Sequence, residues 1–279
     1  MRQIDDAAIK AAGARRFESE YHYALFEYLR SAKVIRALER AGVKVHGRIL
    51  DAGCGGGGTA LSLAEESAFA VGIDIADRFA GTGTRLAVEK KIRNAAFAQA
   101  DGGRLPFRDA VFDLVFSHSV IEHVTQAETY LSECRRVLKP GGSLYLSTAP
   151  YLSLDGSHFP RLKLPVPLHL LLGRPVAFWS FRQIARFAPF LLKDGKHGTS
   201  FIALAAEGKV KEDDLRQRVT VKTLGAWIER SGFRLVREDR HVTGFFKNYL
   251  PGSLRRWLER TPWTQDVMIG HIECVLEKA

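Results

Sequence analysis

The 279 residues, 46% of them hydrophobic, can bury a full core and suit one large domain or one domain with an insertion. Three cysteines, Cys54, Cys134 and Cys274, lie far apart with no CxxC spacing, which argues against a zinc site or a disulfide framework and for a reducing, cytoplasmic compartment. The net charge of +10 is uneven: residues 1–150 carry 20 Lys/Arg against 18 Asp/Glu, residues 151–279 carry 21 against 13. The basic excess therefore belongs to the second half, where it would attract nucleic acid, a phosphate-bearing substrate or an anionic membrane, or simply be solvated.

Residues 1–12 carry Asp5 and Asp6 and no apolar h-region, so no secretory signal is expected. Residues 5–41 read as helical, with Phe17, Tyr21, Leu25, Tyr28 and Leu29 spaced by threes and fours and a stop at Ala41-Gly42. An apolar strand over 48–51 follows, then the run Gly53-Cys54-Gly55-Gly56-Gly57-Gly58 and a helix to about residue 66. Strands are expected at 69–74, 95–100, 111–117 and 143–148, with helices at 84–91 and 127–138 between them. Lys139-Pro140-Gly141-Gly142 reads as the turn into the fifth strand. This alternation indicates βαβ units and a parallel sheet. The rhythm breaks after Pro150 and resumes with a helix over 221–231 and strands over 233–239 and 271–278. The chain thus divides into N-terminal helices (1–48), a cofactor-binding core (49–150), an insertion (151–220) and a C-terminal completion of the sheet (221–279). The stretch 164–173, broken by Pro165, Pro167 and His169, is too short to span a bilayer.

The glycine turn is a cofactor cradle of unspecified type. Glycines at 53, 55 and 57 remove Cβ atoms that would hold a ligand off the backbone, and the turn delivers the ligand to a helix N-terminus. Asp74, at the end of the second strand, can accept from both hydroxyls of a ribose, which suits a nicotinamide cofactor equally well. The pieces that follow discriminate. "ILDAGCGGG", "VGID", "AQADGGRLPF", "FDLVFSHSVIEHV" and "RVLKPGGSLYLST" run in order over residues 49–148. In these the chain resembles the class I S-adenosylmethionine-dependent methyltransferases, in particular the group holding the ubiquinone and small-molecule methyltransferases. The resemblance implies a Rossmann-like, doubly wound, mostly parallel seven-stranded sheet, with N-terminal helices and an insertion after the fifth strand. It implies S-adenosylmethionine as cofactor, with Asp51, Gly53 and Gly55 at its methionine part, Asp74 on the ribose and Ile75 beside the adenine. Asp101 would accept from the adenine amino group with Gly102 close by, and Ser117 would approach the methionine or the reacting centre.

Methyl transfer needs a general base where the acceptor is a hydroxyl or a carbon acid, and histidine is the natural candidate. His118 and His123 lie at the carboxyl edge of the sheet, where a doubly wound fold builds its site, and His158 follows the fifth strand. The Glu122-His123 pair resembles a metal-binding piece of the ubiquinone-type O-methyltransferases. Ser119 stands where those enzymes supply a further Glu, so no metal site is expected. Each of these residues also has a structural reading: caps and turns for the aspartates, packing within the fold for His123.

The insertion should choose the acceptor, because the sheet is generic. Residues 158–200 hold seven Lys/Arg against the single acid Asp194, interleaved with Trp179 and many Phe and Leu. Phe178, Phe181, Arg182, Ala185, Arg186 and Pro189 fit an amphipathic helix. Such a segment is either an interfacial helix at an anionic membrane or a hydrophobic lid over the site. Both readings imply a bulky, fairly apolar acceptor: a quinone precursor, a lipid-linked group or a polyketide. The alternatives are an RNA methyltransferase, disfavoured because no RNA-binding module or base-methylation signature is present, and an inactive methyltransferase-like binding protein.

Overall fold

The computed structural model describes residues 4–154, 168–191, 217–243, 248, 250–262 and 264–279. Strands β1 (Arg48–Ala52), β2 (Phe69–Asp74), β3 (Ala95–Gln99), β4 (Phe112–His118), β5 (Leu138–Thr148), β6 (Phe233–Val242) and β7 (Ile269–Lys278) form one sheet in the order β3-β2-β1-β4-β5-β7-β6. The first five are parallel, and β7 runs antiparallel between β5 and β6. This is the Rossmann-like architecture expected, with β7 running against the other strands. The carboxyl ends of β1 to β5 share an edge with the end of β6 and the start of β7.

Helices cover both faces. The N-terminal stretch is two helices, α1 (Asp6–Arg15) and α2 (Glu20–Arg40). Ser19 breaks the expected continuity: its backbone is extended and its hydroxyl accepts from the His22 N–H, capping α2. Then come α3 (Gly58–Ala64), α4 (Thr82–Lys90), α5 (Ala127–Val137), α6 (Leu168–Leu172), α7 (Arg174–Phe187), α8 (Val221–Arg230), α9 (Gly252–Arg260) and α10 (Gln265–Met268). On one face α5 and α8 pack Tyr130, Leu131, Cys134, Leu224 and Ile228 against Leu50, Leu144 and Leu146. On the other, Ile35 and Leu38 of α2 and Leu63 of α3 pack on Ile49, Leu114, Phe116 and Tyr145. Each such anchor contributes about 2 kcal/mol of burial, which ties α2 to the sheet.

The expected turn at 139–142 lies inside β5. Between the pairs Phe112↔Leu138 and Leu114↔Ser143 the register shifts, with Gly141 at φ +72°. Lys139 Nζ donates to both carboxylate oxygens of Asp113 (2.7 and 2.8 Å), pinning this bulge to β4. β6 and β7 each run further toward the carboxyl edge than their sequence spans, which brings His241 and His271 to that edge as paired residues.

Candidate active site

The glycine turn is built by sterics on all sides. A Cβ at Gly53 would lie 2.3 Å from Val120, at Gly57 2.4 Å from Phe97, and at Gly58 2.0 Å from the Ala24 carbonyl oxygen. These positions serve close packing. Gly55, at φ +50°, is different: a Cβ there meets only the Phe79 ring at 3.7 Å, so its face is the open one. Of the three glycines expected to clear room for a ligand, it is the one with space beside it. Gly53 and Cys54 both donate to the Ile73 carbonyl (2.8 Å each), locking the turn to β2.

Asp74 ends β2 with one carboxylate oxygen on the Gly55 N–H and the other on the Ala76 N–H, each 2.9 Å. Both oxygens keep a lone pair, so a ribose can still be held there. Ile75, 64% exposed, stands beside it, its carbonyl accepting from Gln99 Nε2. Asp101 is exposed and turned by the Gly103 N–H onto its Oδ1 (2.8 Å). Gly102 lies against Tyr130, 2.8 Å from where its Cβ would be. Ser117 is fully buried and accepts from the Tyr130 hydroxyl (2.7 Å), so its side chain faces α5. The structure thus brings Gly55, Asp51, Asp74, Ile75 and Asp101 together along the ends of β1 to β3, while Ser117 points to the helix layer.

Asp51 carries the chemistry of this edge. It is 2% exposed, and its Oδ2 has no hydrogen-bond partner among the described residues. Burial, then the charges of Glu27 and Asp74, raise its pKa well above the usual carboxylate range. A buried oxygen of this kind is costly unless a cation meets it. The ammonium of a methionine moiety would satisfy it, with the open face of Gly55 four residues on. The residues present fit S-adenosylmethionine.

The acceptor side begins at β4. Ser119 holds φ +56° and directs the chain sharply out of the strand, with its N–H on the Ser147 carbonyl. His118 Nδ1 meets Ser147 Oγ at 2.5 Å and its Nε2 meets an Arg30 guanidinium nitrogen at 3.1 Å. A guanidinium only donates, so Nε2 is the acceptor, Nδ1 carries the proton, and the ring is neutral. Desolvation first, then Arg30 and His271, hold its pKa down to about 3. Its lone pair is occupied, and it can take a substrate proton only after Arg30 moves away. His123 lies in a turn over 121–123, before α5 begins, and Glu122 beside it is buried with its carboxylate accepting from Thr148 Oγ1 at 2.9 Å. His158 lies outside the described residues.

Three further polar groups near this edge, His271, Glu273 and Arg30, escaped the sequence. His118, Ser147 and Glu273 stand in one register row across β4, β5 and β7. His271, two residues from Glu273 on the same face, lies with its ring 5.6 Å from that of His118 and 6.2 Å from that of His241. Glu273 sits 3.6 Å from His271 and 3.7 Å from His241. Desolvation lowers the His271 pKa, while Glu273 raises that of the more exposed His241. The period-two spacing of His271 and Glu273 was visible; the strand order that sets them beside His118 was not. The third group is Arg30. Elsewhere on α2, Tyr21 donates to Glu89 of α4 and its ring lies 4.6 Å under Arg85, while Phe17 stacks on Tyr23.

A family profile described as "Methyltransferase domain" matches residues 50–146. The chain is 28% identical over 142 residues to the ubiquinone biosynthesis O-methyltransferase of Sodalis glossinidius, covering 51% of this chain and 57% of that protein. It is 30% identical over 199 residues to the ubiquinone/menaquinone biosynthesis C-methyltransferase UbiE of Brucella anthropi, covering 70% and 66%. The chain spans about half the length of the curated O-methyltransferases it matches. Among solved structures, an S-adenosylmethionine dependent methyltransferase from Mesorhizobium loti superposes with a TM-score of 0.53 at 19% identity, over 87% of this chain and 96% of that one, and shares its fold. The matched domain covers the same strand ends that hold Asp51, Asp74 and Asp101, and over residues 50–146 the chain carries a class I S-adenosylmethionine-dependent methyltransferase domain.

Proposed function

We propose that this protein transfers the methyl group of S-adenosylmethionine to a small, bulky and largely apolar acceptor, with a hydroxyl as the favoured nucleophile and a quinone precursor, lipid-linked group or polyketide as the acceptor class. The observation that carries the reading is the buried Asp51 Oδ2, without a hydrogen-bond partner among the described residues, near the open face of Gly55, a receptor for a cationic ligand end. The cofactor supplies an activated methyl on a sulfonium. The chain's part is to orient and to exclude water: Asp51 at the methionine end, Asp74 on the ribose, Ile75 and Asp101 around the adenine. On the acceptor side, His271 has its pKa lowered by desolvation and Glu273 3.6 Å behind it, a base for the proton of a hydroxyl acceptor, while His118 becomes one only once Arg30 leaves its Nε2. The two relatives, an O- and a C-methyltransferase of ubiquinone biosynthesis, support a quinone precursor as the acceptor.

The segment after β5 supports a lid and a surface at once. Phe178, Phe181 and Ala185 of α7, expected on an amphipathic helix, are buried against Tyr151. Trp179, Phe187 and Phe190 are the exposed ones. The inward stripe is the lid, and the outward side chains are proposed to meet an anionic membrane surface. No helix among the described residues is long and apolar enough to cross a membrane. The test of function is transfer of labelled methyl to a fractionated lysate separated into lipid, small-molecule and RNA pools. Label in the lipid or small-molecule pool is expected. Label confined to RNA would move the protein to the nucleic-acid methyltransferases, and no label with cofactor bound would mark it as a binding protein.

A further inference from the structure

The antiparallel end of the sheet gathers two histidines around one carboxylate. β6 and β7 pair His241 with His271, and β5 and β7 pair Ser147 with Glu273. Nε2 of His271 and Nε2 of His241 lie 3.6 and 3.7 Å from the same oxygen, Glu273 Oε1. The three side chains grade outward: His271 is 27%, Glu273 29% and His241 55% exposed. His118 stands beside them, its ring 5.6 Å from that of His271, but both its nitrogens are engaged. Ser147 meets Nδ1, and Arg30, itself held by Glu27 at 2.9 Å, meets Nε2. His271 turns only Nε2 to Glu273, which leaves Nδ1 for a substrate. The charged groups around this row come from several elements. Glu122 from the turn after β4 and Arg30 from α2 act on His271, and Asp239 and Arg237 of β6 act on His241. His118 of β4 and Tyr145 of β5 flank Glu273. Burial disfavours a charge on His271, whereas Glu273 favours one on His241, so a proton runs downhill from the inner ring to the outer one.

We infer that the proton of the methyl acceptor leaves the site along this row: His271 takes it, Glu273 passes it on, and His241 releases it to solvent. This rests on the reading of the protein as a methyltransferase with a hydroxyl acceptor, and adds a route that lies wholly in β6 and β7, outside the matched domain. A site that excludes water to protect methyl transfer needs such an exit, because bulk water cannot take the proton directly. The acceptor oxygen bonds to the methyl carbon as the carbon–sulfur bond breaks and leaves its electron pair on sulfur. The acceptor O–H pair stays on oxygen, and the proton goes to His271 Nδ1. His271 then gives its Nε2 proton to Glu273 Oε1. The same oxygen protonates Nε2 of a neutral His241, whose Nδ1 proton goes to water. All three groups end with the charge they began with, and both rings end in the other tautomer, which exchange with water resets. The gaps of 3.6 and 3.7 Å are of the kind that tighten once a substrate is bound. Because His241 must be neutral to receive the proton, transfer should rise as the pH passes above the ordinary histidine range.

The initial rate of labelled-methyl transfer into the lipid and small-molecule pools of a lysate tests this. His241→Ala is expected to slow transfer at least about tenfold, and added imidazole to restore most of the loss, since the ring it replaces is exposed. Glu273→Gln should slow transfer as much and not respond to imidazole. The wild-type rate should rise with pH through an inflection above the ordinary histidine value, and His241→Ala should lack it. Affinity for S-adenosylhomocysteine should stay within about twofold in both variants, which separates proton exit from cofactor binding and from misfolding. Histidine titration by ¹⁵N NMR gives a readout that needs no acceptor: in Glu273→Gln the His241 transition should move to lower pH. A wild-type rate in His241→Ala, a loss that imidazole does not restore, or an unmoved His241 transition in Glu273→Gln would overturn the inference and leave the methyl-transfer reading standing. Wild-type protein that labels neither pool would overturn that reading, and the inference with it.

Discussion

His118 shows how neighbours decide a residue's chemistry. Arg30 donates to Nε2 and Ser147 receives Nδ1–H, so protonation would break one bond and set two cations side by side. The native pKa of about 3 lies below the unfolded value of about 6.5. Between those values the unfolded chain binds a proton that the native ring refuses. The stability held above about pH 6.5 is therefore lost as the pH falls toward the native pKa, by at most about 2 kcal/mol at pH 5. Urea unfolding at pH 7 and pH 5 should show a larger loss for wild type than for His118→Gln. The comparison isolates this ring from His271 and His241, which remain in both proteins; identical losses would mean that His118 is protonated in the native state. At this scale the placement of Asp51, Asp74 and Ile75 at strand ends was legible, since each apolar run closes there. Glu27 and Arg30 were not, because their three-residue spacing on a helix is also that of any solvated surface pair.

Among the elements, the glycine turn and α2 form one unit. Gly58 exists to let the α2 backbone lie on the start of α3, while Gly55 leaves space. Alanine at each position should therefore fail differently. In Gly58→Ala the new Cβ meets a backbone carbonyl that cannot rotate away, and overpacking of that kind costs about 1–3 kcal/mol. The melting temperature should fall by several degrees, with S-adenosylhomocysteine binding weakened as α2 lifts. Gly55→Ala carries only the left-handed backbone penalty, about 1–2 kcal/mol. It should lose cofactor affinity out of proportion to its smaller fall in melting temperature. Equal proportions in the two variants would mean that both glycines serve packing. The sequence conveyed the order of strands and helices because each apolar run is closed by a turn residue. It did not separate packing glycines from a cradle glycine, since that depends on Ala24, Val120 and Phe97, which arrive from distant elements. Helix α9 left a readable signal in Leu254, Trp257 and Leu258 at helical spacing, and the sequence reading passed over it.

At the scale of the molecule, charge and topology point the same way. The basic excess lies in residues 151–279. Both the segment that holds α6 and α7 and the one that holds α9 and α10 leave from the carboxyl edge of the sheet, the edge of the site. On α9, Trp257 is 62% and Leu254 43% exposed, with Arg256 and Arg260 exposed beside them and Arg255 paired to Glu259. Together with Trp179 and Phe187 of α7, this puts exposed aromatic and cationic groups on both segments that leave that edge, as an interfacial surface requires. Wild-type protein is expected to sediment with vesicles containing phosphatidylglycerol at low salt, and to be released at high salt and from phosphatidylcholine alone. At about 1 kcal/mol per basic residue near an anionic surface, replacing Arg256 and Arg260 by glutamine should weaken vesicle binding roughly thirtyfold. Trp257→Ala should weaken it at both salt levels, because its contribution is burial and not charge. These substitutions lie on a helix with no buried residue, so the melting temperature and S-adenosylhomocysteine affinity should not move. Protein that stays in the supernatant with anionic vesicles would leave the outward side chains of α7 and α9 to the lid, and the acceptor would then have to reach the site from solution.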